Sequence, residues 1–276
     1  MQLVRIPLGD YVEIFIDWLT FNYADFFEYI KEGLLAAIEG FEWLFSTIPF
    51  SIMVLIFAAV AWKSAGAKTA VFTALGLLLI QSMELWEATM ETFALVSTAT
   101  AIALIIGLPL GIWMARSNTL EKVMRPVFDF MQTMPAFVYL IPAVYFFDLG
   151  PVPGAVATII FAMPPVVRLT SLGIRQVSKE VIEASRSFGA TSGQTLFKVQ
   201  IPLAMPTILA GLNQTILLSL SMVVISAMIG SGGLGDVVLK GITQMRVGLG
   251  FEGGLAVVIL AMVLDRITQN LGQSKT

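Results

Sequence analysis

Seven apolar stretches punctuate this chain, and only a membrane accommodates so many in so short a length. They run over residues 47–62, 69–83, 92–115, 134–147, 152–167, 206–229 and 253–264. A crossing helix needs about 20 residues, or about 17 when short. Several stretches therefore borrow from their flanks. The fourth and fifth are interrupted by Pro142, Pro151, Pro153, Pro164 and Pro165. Broken helices are tolerated in a bilayer only where they are buried or line a cavity. The expectation is an all-α polytopic membrane protein with about seven transmembrane helices.

Composition agrees. The chain is 57% apolar and 13% charged, against about 25% charged residues in a soluble domain. It has no cysteine and no histidine. That excludes disulfides, cysteine-based metal sites, imidazole proton relays and histidine-based catalytic triads. No metal-ligating or catalytic set is expected. A formal net charge of −3 without a basic patch offers nothing to nucleic acid.

Residues 1–46 lack the basic n-region and continuous apolar core of a signal peptide. Tyr11, Ile14, Phe15, Trp18 and Leu19 are spaced like one helix face, and a second such stretch runs from Phe26 to Trp43. Two placements are open for these helices: flat at the membrane interface, or packed on the body of the protein. The expected organisation is this N-terminal segment, a peripheral pair of helices over residues 47–91, and a core domain over residues 92–276.

Lys and Arg set the orientation. With the polar stretch 168–202 in the cytoplasm and seven crossings, only Arg5, Lys31, Lys240 and Arg246 lie outside. Glu84, Glu87 and Glu91 share one external loop. The N-terminus is then outside and the C-terminus inside.

The polar stretch 168–202 has its own logic. Val181, Ile182, Ala184 and Phe188 form an apolar stripe on a helix expected from Ser178 to Ser187. Gly189 then supplies a stop where positive φ is cheap. Thr191 or Ser192 caps a second short helix carrying Leu196, Phe197 and Val199, which Pro202 is expected to end. Glu183 is placed to fix the loop by accepting backbone N–H bonds or pairing with a cation. The result is a compact knob suited to a groove on a partner. The chain has no phosphate-cradling G-x-x-x-x-G-K-[ST] segment. The run Gly230 to Gly235 follows an apolar helix, not a strand, so it reads as a flexible turn and not as a dinucleotide site.

Glu183-Ala184-Ser185, Gly189 six residues after the Glu, and, beyond nine intervening residues, Val199-Gln200-Ile201-Pro202 resemble the EAA motif of ABC importer permeases. Ser185 stands for the second alanine and Ile201 for the leucine. The resemblance implies a type I ABC importer transmembrane fold. It also implies that Glu183, Ala184, Ser185, Phe188, Gly189 and Ala190 couple the chain to an ATPase. Met131 to Tyr139, Phe161 to Pro165 and Val199 to Leu212 further resemble permeases of glycine betaine/proline importers. That similarity implies import of glycine betaine, proline betaine, carnitine, choline or proline. It implies a second permease copy, two ATPase subunits that bind ATP and magnesium, an extracytoplasmic binding protein, and a prokaryotic inner membrane. No cofactor belongs to this chain itself.

Thr215, Ser219, Met222 and Ser226 fall on one helical face and, with Tyr139, are candidates to line a path for a polar solute. The competing reading is helix packing through small and hydroxyl side chains. Gly107 and Gly111 read as packing. Arg168 reads as a cytoplasmic anchor. An ABC permease for another small solute, such as an amino acid, remains an alternative. A secondary transporter is disfavoured because no carboxylate or histidine chain lies within the expected crossings.

Overall fold

The computed structural model describes residues 7–271, and Asn270 and Leu271 by backbone alone. The described residues hold helices and no strand. In chain order these are α1 (Leu8–Asn22), α2 (Ala24–Thr47), α3 (Phe50–Ala65), α4 (Ala67–Ser82), α5 (Trp86–Arg116), α6 (Asn118–Thr133) and α7 (Ala136–Phe147). Then come α8 (Pro151–Arg175), α9 (Lys179–Ser187), α10 (Ser192–Thr195), a π-helical turn (Leu196–Gln200), α11 (Ile201–Ser221), α12 (Val223–Ala227), α13 (Gly233–Thr243) and α14 (Val247–Leu271). The fold is an all-α polytopic membrane architecture.

Each expected apolar stretch falls on a helix. Four continuous helical segments are long and apolar enough to cross alone: α5, α8, Ser192–Ala227 and α14. Two bent pairs, α2 with α3 at 102° and α6 with α7 at 98°, bring the number to six if each is one crossing. The fourth stretch, 134–147, therefore needs correction. Its helix α7 has only 12 residues, about 18 Å of rise. It follows α6 in a bent pair that is long and apolar enough only when the two helices are taken together.

The core is a three-helix sandwich with α8 between α5 and α11. Pro164 and Pro165 do not break α8, which runs unbroken to Arg175. Proline removes two ladder bonds, but both residues are buried against neighbouring helices that hold the axis in place. The polar loop expected from residue 168 thus begins after Arg175. Helices α5 and α8 run in the same direction and touch backbone to side chain. A Cβ on Gly107 would stand 2.6 Å from Val166 Cγ1, and one on Gly111 would stand 2.7 Å from both Thr170 Cβ and the Val167 carbonyl oxygen.

A second apolar cluster joins α3, α4 and α14, with Phe57, Leu77, Ile80 and Val263 at its centre. Helix α2 is packed on the body: Ile38 is 4% exposed and meets Leu95 and Ala155. Phe27 stacks on Phe146, and Lys31 pairs with Asp148 at 2.8 Å. Helix α1 buries none of its side chains and is held to α7 by a Tyr145–Asp17 hydrogen bond. The two placements open for residues 1–46 thus divide, with α2 packed and α1 exposed.

Because backbone lies in its way, Gly111→Ala is expected to lower the thermal midpoint in detergent by the equivalent of about 1–3 kcal/mol, the usual cost of overpacking. Gly254→Ala, with no atom within 4 Å of the new Cβ, is expected to be neutral or stabilising through helix propensity. Equal midpoints for the two variants would remove the close-approach argument.

Candidate functional site

Helix α9 ends in a Schellman turn. The Ala190 N–H donates to the Ser185 carbonyl at 3.2 Å and the Gly189 N–H to the Arg186 carbonyl at 2.9 Å. That geometry requires a left-handed residue after the cap, and Gly189 takes it at φ +83°. Thr191 then opens α10 with a capping box. Its hydroxyl accepts from the Gln194 N–H at 3.3 Å, and its own N–H donates to Gln194 Oε1 at 2.8 Å. Ser185 Oγ lies 3.2 Å from Thr195 Oγ1 and ties the two helices together. Leu196, 2% exposed, inserts beneath them among Ile174, Ala204 and Ile208. The knob is thus rigid at its root.

Its outer surface is open. Phe188 is 93% exposed, and Val181 and Phe197 are exposed as well. The residues Ser185, Phe188, Gly189, Ala190, Gln194, Lys198 and Val199 line a shallow depression. Glu183 and Ala184 are also exposed. Among the described residues the Glu183 carboxylate makes no hydrogen bond or ion pair, so it does not tie the loop as expected. Instead the Schellman turn and capping box close the loop through backbone groups.

A second correction concerns the end of this loop. Pro202 does not stop the second short helix. Residues Ser192–Ala227 form one continuous helical segment of 36 residues. The Ile201 N–H reaches back to the Leu196 carbonyl, five residues away. This widened π turn precedes the position where Pro202 has no N–H to give, and it lets the helix continue.

The expected pathway face is turned inward. Thr215, Ser219, Met222 and Ser226 are each at most 1% exposed. Thr100 donates to Ser219 Oγ at 3.3 Å, and Ser226 Oγ donates to the Gly154 carbonyl at 3.4 Å, with Thr158 alongside. Met222 packs with Tyr139, whose hydroxyl donates to the Met131 carbonyl. Within the single chain these five residues pack against neighbouring helices. Hydroxyls recurring at helical spacing fit either role, and their partners Thr100, Thr158 and Gly154 lie far away in sequence.

The glycine run after α12 is anchored rather than loose. The Gly233 N–H donates to Glu91 Oε2 and the Leu234 N–H to Thr92 Oγ1, both at 2.8 Å. Single carboxylates also occur on the helices of the candidate crossings. Glu91 lies on α5, Asp129 on α6 beside Arg168, and Asp265 on α14, where Asn213 and Gln269 donate to it at 2.8 and 2.6 Å. Sequence reasoning missed Asp265 by ending the last stretch at Leu264. Each is held by a local partner, so none forms a continuous relay.

Gly189→Val is expected to strain the turn by about 1–2 kcal/mol, the cost of a Cβ in the left-handed region. Gly189→Asn, which tolerates that region, is expected to behave nearly as the parent. Limited trypsin cleavage at Arg186 and Lys198 measures this. Equal cleavage of the valine variant and the parent would contradict a turn that depends on glycine.

Comparison with known proteins agrees with this geometry. Residues 107–275 match the family model described as binding-protein-dependent transport system inner membrane component. The chain is 49% identical over 274 residues to the glycine betaine transport system permease protein OpuAB of Bacillus subtilis, covering 99% of this chain and 97% of that one. It is 50% identical over 268 residues to the glycine betaine/proline betaine permease ProW of Escherichia coli, covering 97% and 76%. It is also 50% identical over 272 residues to the glycine betaine/carnitine permease GbuB of Listeria monocytogenes, covering 97% and 96%. Among solved structures, an inward-facing MetNI methionine ABC transporter chain superposes with a TM-score of 0.61 at 21% identity, covering 68% of this chain and 94% of that one. The chain has the type I ABC importer transmembrane fold and belongs to the family of binding-protein-dependent transport system inner membrane components.

Proposed function

We propose that this chain is the membrane-spanning permease subunit of an ATP-driven importer of small quaternary-ammonium osmolytes, with glycine betaine first among them and proline betaine and carnitine as related substrates. The observation that carries the reading is about half identity along nearly the whole length to permeases named for those solutes. The chain supplies no nucleotide-cradling loop, so ATP and magnesium belong to a partner ATPase.

The open knob of α9 and α10 is where that partner docks. Phe188 and Val181 supply apolar contact, and Glu183 supplies a charge with no partner among the described residues. Gly189 and Ala190 form the turn between them, while Ala184 and Ser185 hold the turn to α10. Because α10 continues into α11, a push on the knob is delivered along one helix into the bundle. Two copies of the chain enclose the pathway, two ATPases sit on their knobs, and a binding protein delivers the solute from outside.

The orientation follows from charge. Lys and Arg concentrate at the Arg116 end of α5 and on the knob, which is the cytoplasmic side by the positive-inside rule. The N-terminal helices α1 and α2 and the anchored α13 then face outward.

Proteoliposomes holding the chain, its ATPase and its binding protein are expected to accumulate labelled glycine betaine only when ATP is on the ATPase side. The purified chain alone is expected to hydrolyse none. Hydrolysis by the chain alone, or uptake without the ATPase, would overturn the assignment. The orientation has its own check, since the chain has no native cysteine. Ser192→Cys should react with an impermeant maleimide only from the cytoplasm and Glu87→Cys only from outside. Labelling of both from one side would break the topology.

A further inference from the structure

Helices α6 and α8 face each other through charged side chains that are partly open to solvent, Asp129 being 57% and Arg168 33% exposed. Glu121, Arg125 and Asp129 recur every four residues on α6. Arg175 meets Glu121 at 3.1 Å and Arg125 meets it at 2.8 Å, while Arg168 pairs with Asp129 further along. The pairs ascend together, because α6 runs antiparallel to α8. Arg168 lies seven residues before the end of α8, about 10 Å along its axis. The Arg168–Asp129 pair therefore sits within the crossing and not at its rim. Beside these groups lies a cavity of about 340 Å³, whose wall also includes Leu172.

Charges at this depth are costly against hydrocarbon and mark water-filled paths for polar cargo. The apolar residues of α6 divide between a packed face, with Phe128 buried against Met114, Val166 and Val167, and an exposed one of Val123, Val127 and Phe130, while the Arg125 and Asp129 side chains are 68% and 57% exposed. The charged face is thus the one turned to water. The Arg168 guanidinium has donors to spare, since its buried Nε–H has no partner.

We propose that this cavity is a transit site for zwitterionic solutes on the inner half of the translocation pathway. Arg168 and Arg125 would receive the solute carboxylate, and Asp129 and Glu121 its quaternary ammonium. This rests on the substrate reading above and adds the place and chemistry of recognition within the permease. The alternating charges already satisfy one another, so the solute exchanges with existing pairs and gains little. Such a site favours passage over retention, as conduction requires.

The experiment uses the reconstituted complex with Leu172→Cys, a change that removes no charge. The probe is 2-(trimethylammonium)ethyl methanethiosulfonate, applied from the ATPase side. Leu172 is 44% exposed. The cysteine is expected to react, to lose betaine uptake on reaction, and to be protected by millimolar glycine betaine but not by sucrose. In parallel, Arg168→Gln is expected to slow betaine uptake about tenfold, the scale of one lost charge-assisted contact, with the ATPase subunit still retained on pull-down. A pair that matters only for packing would be restored by exchange of its charges. The double variant Arg168→Asp with Asp129→Arg is therefore expected to assemble yet remain slow. An unreactive cysteine, reaction without loss of uptake, absence of protection, or parental uptake in either charge variant would overturn the proposal. A parental complex that imports no betaine would instead overturn the substrate reading beneath it.

Discussion

The close approach of α5, α8 and α11 holds the rest of this structure in place. In hydrocarbon there is little hydrophobic gain from pressing helices together, so contact depends on small residues and shared hydroxyls. Gly107 and Gly111 let α5 settle against Val166, Val167 and Thr170. On the other side, Thr100 with Ser219 and Thr158 with Ser226 bind α11 and α12 to their neighbours through short polar contacts. Once that seam is fixed, α8 keeps its course through two adjacent prolines.

The knob inherits its geometry from the same seam. Helix α8 delivers the chain to α9 at one end, and α11 takes it up at the other. Between them a Schellman turn, a capping box and the buried Leu196 leave the loop few ways to move independently. Its outer face presents Phe188 and the Glu183 carboxylate, and its second helix is continuous with α11. Under the proposed coupling, a partner that changes shape beneath it would move α11 directly. The π turn at Leu196–Gln200 is the least regular part of that connection, yet it is wedged between the buried Leu196 and the root of α11.

Much of this was legible in the sequence because apolar runs and turn chemistry are local properties. The spacing from Glu183 to Pro202 indicated two short helices about a left-handed glycine, and Gly189 takes that conformation. Other features depend on distant partners. Pro164 and Pro165 look like breakers until the helices that enclose them are known. Pro202 looks like a stop until the widened turn before it is seen. Helix α6 carries too many charges to read as part of a crossing, although two of them, Glu121 and Asp129, pair with Arg175 and Arg168 of α8. The face of Thr215, Ser219, Met222 and Ser226 is compatible with a pathway or with packing, and within one chain its residues are buried.

The transmission of motion from knob to bundle is open to direct measurement. Spin labels at Ser192→Cys and Ala210→Cys, both at exposed positions, bracket the π turn on the continuous helix. Double electron–electron resonance on spin-diluted complexes would compare the nucleotide-free and ATP-bound states. A rigid lever keeps the distance between the two labels within one chain constant, while the distance between Ser192 labels on the two copies changes. If ATP instead alters the Ser192–Ala210 distance and leaves the distance between copies unchanged, the loop flexes at the π turn and does not drive α11.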